Sequence, residues 1–116
     1  YTDFTVKMGC TNLSQLSDYV SGLSVVVNPF TYTQTGTGFS TFTFDNPYDW
    51  DGSSNLIVEF CFNNNNYTDY DTVYATSTAY NSVVYQRTDN AVGCNLSGAP
   101  ITSVTIVTFR HKSPTL

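Results

Sequence analysis

Between Phe42 and Phe62 the chain reads FTFDNPYDWDGSSNLIVEFCF, and the pattern of this stretch narrows the fold more than any other. Phe42 and Phe44 alternate with Thr41 and Thr43. From Leu56 onward, Leu56, Val58, Phe60 and Phe62 fall on one side, and Ile57, Glu59 and Cys61 on the other. A period of two sends successive side chains to opposite faces of a pleated strand, whereas an amphipathic helix repeats every three to four residues. Between the two runs, Asn46 precedes a proline and is pushed away from helical geometry, Pro47 fixes its own φ, and Asp51-Gly52 is a turn signal. The stretch is therefore predicted to be two strands joined by a turn. The tip of that turn gathers Tyr48, Trp50 (the only tryptophan), Asp45, Asp49 and Asp51.

The rest of the chain repeats the theme. Thr2 to Met8 is predicted as a strand with Phe4, Val6 and Met8 on one face and Thr5 and Lys7 on the other. Gly9 to Ser17 reads as a polar loop, with at most one helical turn suggested by Leu13, Leu16 and Tyr19. Leu23 to Val27 is a β-branched run stopped by Asn28-Pro29, with a short continuation over Phe30 to Thr33 and a turn over Gln34 to Gly38. The asparagines from Asn63 to Asn66 compete for local backbone hydrogen bonds and mark a loop. Asp69 to Ala79 alternates weakly, Ser82 to Arg87 is a strand, and Thr88 to Pro100 is a long loop. Ile101 to Phe109 is apolar on both faces, as expected of an interior strand or one covered from outside the chain. About seven to nine short strands with no helix of any length predict an all-β fold: an antiparallel β-sandwich with jelly-roll-like connections.

Composition bounds the partners. The 116 residues fit one domain, assigned here to 1–110, with 111–116 as a tail or linker. Only 11% of residues are charged while 16% are aromatic, so Thr, Ser, Asn, Tyr and Gln must cover the surface. That balance suits a secreted β-protein. A net charge of −5, with Lys7, Arg87, Arg110 and Lys112 forming no run, argues against nucleic acid, which needs clustered cations. No apolar run is long enough for a spanning helix, so no membrane insertion is expected. Three cysteines in an oxidising compartment imply one disulfide and one leftover thiol.

The tip carries two candidate chemistries. Asp45, Asp49, Asp51 and Asn55 place oxygens near one another in sequence, and Ca²⁺ takes six to eight oxygen ligands, although the spacing is not that of an EF-hand. The competing reading is that these residues shape turns and cap backbone groups. Tyr48 and Trp50, with Asp49 beside them, could form a platform for a sugar ring, against the plainer reading of Trp50 as a core plug and Tyr48 as a cap. Tyr67, Tyr70, Tyr74, Tyr80 and Tyr85 offer a second aromatic surface or ordinary strand composition. Catalysis is not expected. Glu59 is the only glutamate, His111 lies in the tail, and Ser82 and Cys94 sit in no nucleophile motif. Asn12, Asn66 and Asn95 begin N-glycosylation triplets of a kind that arises by chance in a chain this rich in Asn, Ser and Thr.

Three blocks carry a family resemblance: FTVKMGCT from Phe4, FDNPYDWDGSSNLIVEFCFNN from Phe44, and YNSVVYQR from Tyr80 followed by Cys94. In order and spacing they resemble a module of large secreted, adhesin-like surface proteins of Bacteroidota, of the kind exported by type IX secretion. The resemblance implies an extracellular β-sandwich used as a building or binding unit, with neighbouring domains, copies of itself or glycans as partners. It implies more strand sequence on the N-terminal side, so that a neighbouring segment would complete a sheet edge. It also implies the pairing Cys61–Cys94, leaving Cys10 as a buried thiol or one paired outside this chain; three reduced cysteines are the alternative. Asp71-Thr72-Val73 resembles the short O-glycosylation signal of that phylum, which makes Thr72 a candidate modification site.

Overall fold

The computed structural model describes residues 1–64, 72–87, 93–95 and 99–103, and the backbone of 105–107. Its largest element is a three-stranded antiparallel sheet in the order β2-β1-β3, built from β1 (Phe4–Thr11), β2 (Ser24–Phe30) and β3 (Asn55–Cys61). Two short ribbons follow. In one, β4 (Ala75–Ser77) pairs with β7 (Thr105–Val107); in the other, β5 (Val83–Tyr85) pairs with β6 (Ile101–Ser103). All pairings are antiparallel, and the described helix is a single 3₁₀ turn, Gly93–Asn95. The fold is all-β.

Register fixes the faces. Val6 stands opposite Phe60 and Val27, Met8 opposite Val58, and Cys10 opposite Leu56. The other face carries Thr5 opposite Cys61, Lys7 opposite Glu59, and Gly9 opposite Ile57. These are the face assignments that the alternation predicts for Phe4 to Met8 and for Leu56 to Cys61, since directly opposed residues of an antiparallel pair share a side.

The first face carries the core. Phe4, Val6, Val26 and Val27 are buried, with Tyr1, Met8, Tyr32, Phe42, Tyr48 and Val58 packed against them. Phe4 is the hub. Its ring stacks on Phe42 at 5.3 Å and meets Phe30, Tyr32 and Phe60 at 5.9, 5.0 and 6.0 Å. Burying such a ring is worth about 1.5–3 kcal/mol, and each favourable ring pair adds about 0.5–1.5 kcal/mol. Tyr1 and Tyr32 hydrogen-bond each other's backbones, Tyr1 N to Tyr32 O at 2.6 Å and Tyr32 N to Tyr1 O at 2.9 Å, which closes the cluster at one end.

The opposite face is polar and pinned. Lys7 Nζ meets Glu59 Oε1 at 2.6 Å. Partial burial raises the Tyr19 phenol pKa, with the carboxylates of Glu59 and Asp18 adding to the effect. Cys61, buried at the end of β3, is disulfide-bonded to Cys94 of the 3₁₀ turn, with a Cα–Cα distance of 4.9 Å. The carbonyl of Phe62 lies where a Cβ on Gly93 would stand, so only glycine lets the turn approach β3.

Several boundaries depart from the sequence reading. β1 runs on through Gly9 and Cys10 to Thr11, because Gly9 has a ladder partner in Ile57 and gives room to the Leu23 side chain. Asn28-Pro29 does not stop β2. The pairing with β1 shifts register between Phe4 and Val6, and β2 lies at the sheet edge, where a residue without an N–H is tolerated. Thr41 to Phe44 is not a strand. Phe42 is half-buried through its ring stack on Phe4, while the backbone bonds formed just beyond it run from Asp45 N and Asn46 N to Val26 O, at 2.9 and 3.2 Å. The expected strand from Ile101 to Phe109 is divided between the two ribbons, Ile101–Ser103 in one and Thr105–Val107 in the other.

Candidate functional site

The predicted hairpin does not form, because β3 pairs with β1 and not with Thr41–Phe44. The residues expected at its tip are spread from the β2 edge to the start of β3, and most of them have a local duty. Asp45 Oδ2 accepts the Asn28 N–H at 2.8 Å, and Asn46 Nδ2 donates to Val25 O at 3.2 Å. Together these bonds occupy polar groups of the bulged end of β2. Asn55 Nδ2 donates to Leu13 O at 3.0 Å, tying the start of β3 to the loop after β1.

Asp51 organises its own turn. Its Oδ1 accepts the N–H groups of Ser53 and Ser54 at 2.8 and 2.7 Å, and its Oδ2 accepts the Ser54 hydroxyl at 2.5 Å. Gly52, at φ 75°, supplies the left-handed residue that this turn needs. Hydrogen bonds to the ionised form, the Ser54 hydroxyl first and then the Ser53 and Ser54 amides, lower the Asp51 pKa from 3.8 to about 2. Asp49 is exposed. Among the described residues no group of three His, Cys, Asp or Glu side chains is placed to hold a metal ion. The four oxygen-bearing residues proposed for calcium are thus not gathered; three of them serve backbone groups at separate places.

Trp50 is not a core plug. It is 52% exposed, and its Nε1–H donates to Ser54 O at 2.8 Å, which fixes the indole above the Asp51 turn. Tyr48 is half-buried against the core cluster, and its hydroxyl donates to Cys10 Sγ at 3.3 Å. That hydrogen bond to the thiol is the main reason the Tyr48 phenol is raised above its ordinary value of 10.0. The two rings are near neighbours in sequence, but their polar ends point to different partners. Cys10 is a free and exposed thiol, which corrects the expectation of burial.

Glu59, the only glutamate, is held by Lys7. Thr72 is exposed, as are Val73 (68%) and Tyr74 (72%) beside it. Asp71, Tyr67, Tyr70 and the tail from 111 to 116, with His111, lie outside the described residues.

The sequence reading missed a groove on the β2 side. Val27, Asn28, Pro29 and Phe30 form one wall, and Thr41, Phe42, Thr43 and Asp45 the other, around a space of about 390 Å³. No spacing in the sequence announces it. The two walls are brought together by the bonds from Asp45 and Asn46 to Val26 and from Asn28 to Asp45. Comparison with family models, with curated proteins and with solved structures gave no match.

Proposed function

We propose that the chain is a non-catalytic extracellular surface module, a structural or adhesive unit of a larger secreted or filament-forming protein, folded as a β-sandwich with jelly-roll-like connections. The observation that carries this reading is the Cys61–Cys94 disulfide between a buried strand end and the 3₁₀ turn, in a chain whose surface is polar and poorly charged. Disulfides persist in oxidising compartments and are rare where thiols are kept reduced. The absence of any helix long and apolar enough to cross a membrane among the described residues is compatible with such a placement. The resemblance to Bacteroidota surface modules points the same way. Partners on this reading are neighbouring domains or further copies. The test is assembly of the purified protein: concentration-dependent end-to-end association, with no hydrolysis of glycan or peptide libraries, supports it. Turnover of a substrate by the protein refutes it.

The exposed Trp50 ring, locked by its hydrogen bond to Ser54, favours a second reading in which the module binds carbohydrate. A rigid, half-exposed indole suits the apolar face of a pyranose. Calcium assistance through Asp45, Asp49, Asp51 and Asn55 would require these residues to be brought together from the separate places where Asp45, Asp51 and Asn55 serve backbone groups. Calorimetry with Ca²⁺ and EGTA tests that part.

A further inference from the structure

We propose that the groove between β2 and the Thr41–Asp45 segment is a binding site for a neutral saccharide. This rests on the carbohydrate reading but moves its site away from Tyr48 and Trp50. The groove's space of about 390 Å³ lies within the range of about 300–1,000 Å³ common for small-ligand sites. Its walls combine the two chemistries that a sugar presents. Phe30, 39% exposed, and the half-buried Phe42 supply ring surface for C–H groups. Asn28, Thr41, Thr43 and Asp45 supply polar atoms for hydroxyls.

These groups are held before any ligand arrives. Both rings pack on Phe4, at 5.9 and 5.3 Å. Asp45 is anchored through Oδ2 by the Asn28 N–H, which leaves Oδ1 turned to no partner in the described structure. Asn46 Nδ2 lies 3.4 Å from Asn28 Oδ1, a contact that ties the Asn28 carboxamide to the opposite wall. Ordering these groups in advance removes part of the entropic cost of binding. By contrast, the polar ends of Tyr48 and Trp50 are already committed to Cys10 and Ser54.

Charge selects among sugars. The lining holds one carboxylate and no Lys or Arg, in a chain of net charge −5. A uronic acid, a sialic acid or a sulfated sugar would meet like charge without a cation to offset it. A neutral hexose or its oligomers fits.

The experiment is an array of neutral and acidic oligosaccharides probed with the whole protein, followed by calorimetry on the best neutral binder. Thr43→Trp fills the groove and Phe30→Ala removes an exposed ring; circular dichroism and melting temperature report whether each variant folds. The expected result is binding to neutral oligosaccharides, weakened about tenfold or more in both groove variants and unchanged in Gly36→Ala, whose methyl group would meet nothing. Amide chemical-shift changes on the wild-type protein, expected at Asn28 and over Thr41–Asp45, decide the matter should a variant unfold. Binding lost only in Trp50→Ala, or shifts confined to the Asp51 turn, overturns the groove while leaving the carbohydrate reading in place. A preference for acidic sugars overturns the groove as drawn. No binding to any saccharide overturns both the groove and the carbohydrate reading.

Discussion

Cys61, at the buried end of β3, is covalently joined to Cys94, 33 residues further along the chain, and Gly93 lies directly under the carbonyl of Phe62 at the same junction. The bond ties the last turn of the described structure to the main sheet. It closes a loop whose constraint on the unfolded chain is worth about 3–4 kcal/mol. Replacing both cysteines, Cys61→Ala with Cys94→Ala, is expected to lower unfolding stability by that amount, read from urea melts. Equal stability of the variant and the oxidised protein would show that the bridge constrains nothing.

Gly93→Ala probes the same junction without touching sulfur. Its methyl group would collide with the Phe62 carbonyl, which is backbone and cannot rotate away. A loss of about 1–3 kcal/mol, typical of overpacking, is expected in thermal or denaturant unfolding. Gly36→Ala, whose methyl group would meet nothing, serves as the control.

Phe42 tests whether a ring can anchor a segment that has no ladder. It stacks on Phe4 at 5.3 Å, although Thr41–Phe44 is not paired as a strand. Phe42→Ala should cost about 2–4 kcal/mol, toward the lower side of the range for phenylalanine truncation because the ring is only half-buried. Phe44→Ala, at a ring 45% exposed, should cost under about 1 kcal/mol. Similar losses for the two would mean that the stack on Phe4 does not anchor the segment.

The Asp51 turn has an acid signature. Its pKa is depressed from 3.8 to about 2, so the stabilisation from its hydrogen bonds is fully present above about pH 4. It is lost as pH falls from there through 2, where the folded-state carboxylate takes up its proton. Carboxyl titration by NMR should place Asp51 at about 2. Ser54→Ala, which removes the leading cause, should move it back toward 3.8. A titration near 3.8 in the wild type would contradict the hydrogen-bonded turn.

The parts of the fold visible in the sequence are those where the side-chain period and the backbone ladder coincide. Phe4–Met8 and Leu56–Cys61 alternate and are paired, so their faces follow from the sequence. Thr41–Phe44 alternates as cleanly but has no ladder, and of its two rings Phe42 packs inward while Phe44 is exposed, because a two-residue period says nothing about where the N–H groups go. That error displaced the site. A hairpin would have gathered Asp45, Tyr48, Trp50 and Asp51; pairing of β3 with β1 sends Asp45 to β2, Tyr48 to Cys10 and Asp51 to its own serines. Asn28-Pro29 misled for a related reason, since a break signal assumes an interior strand and β2 is an edge. The groove between Phe30 and Phe42 joins positions twelve apart through contacts at Val26 and Asn28, for which no local motif exists.

Display outside the cell, with the bridge formed, is tested most directly by thiol labelling of intact source cells. A membrane-impermeant maleimide is applied before lysis, and a second alkylating reagent is applied after denaturation with and without reduction. The account predicts that Cys10 is tagged on intact cells, while Cys61 and Cys94 take label only after reduction. Cys10 reached only after lysis, together with Cys61 and Cys94 alkylated without any reductant, would contradict it.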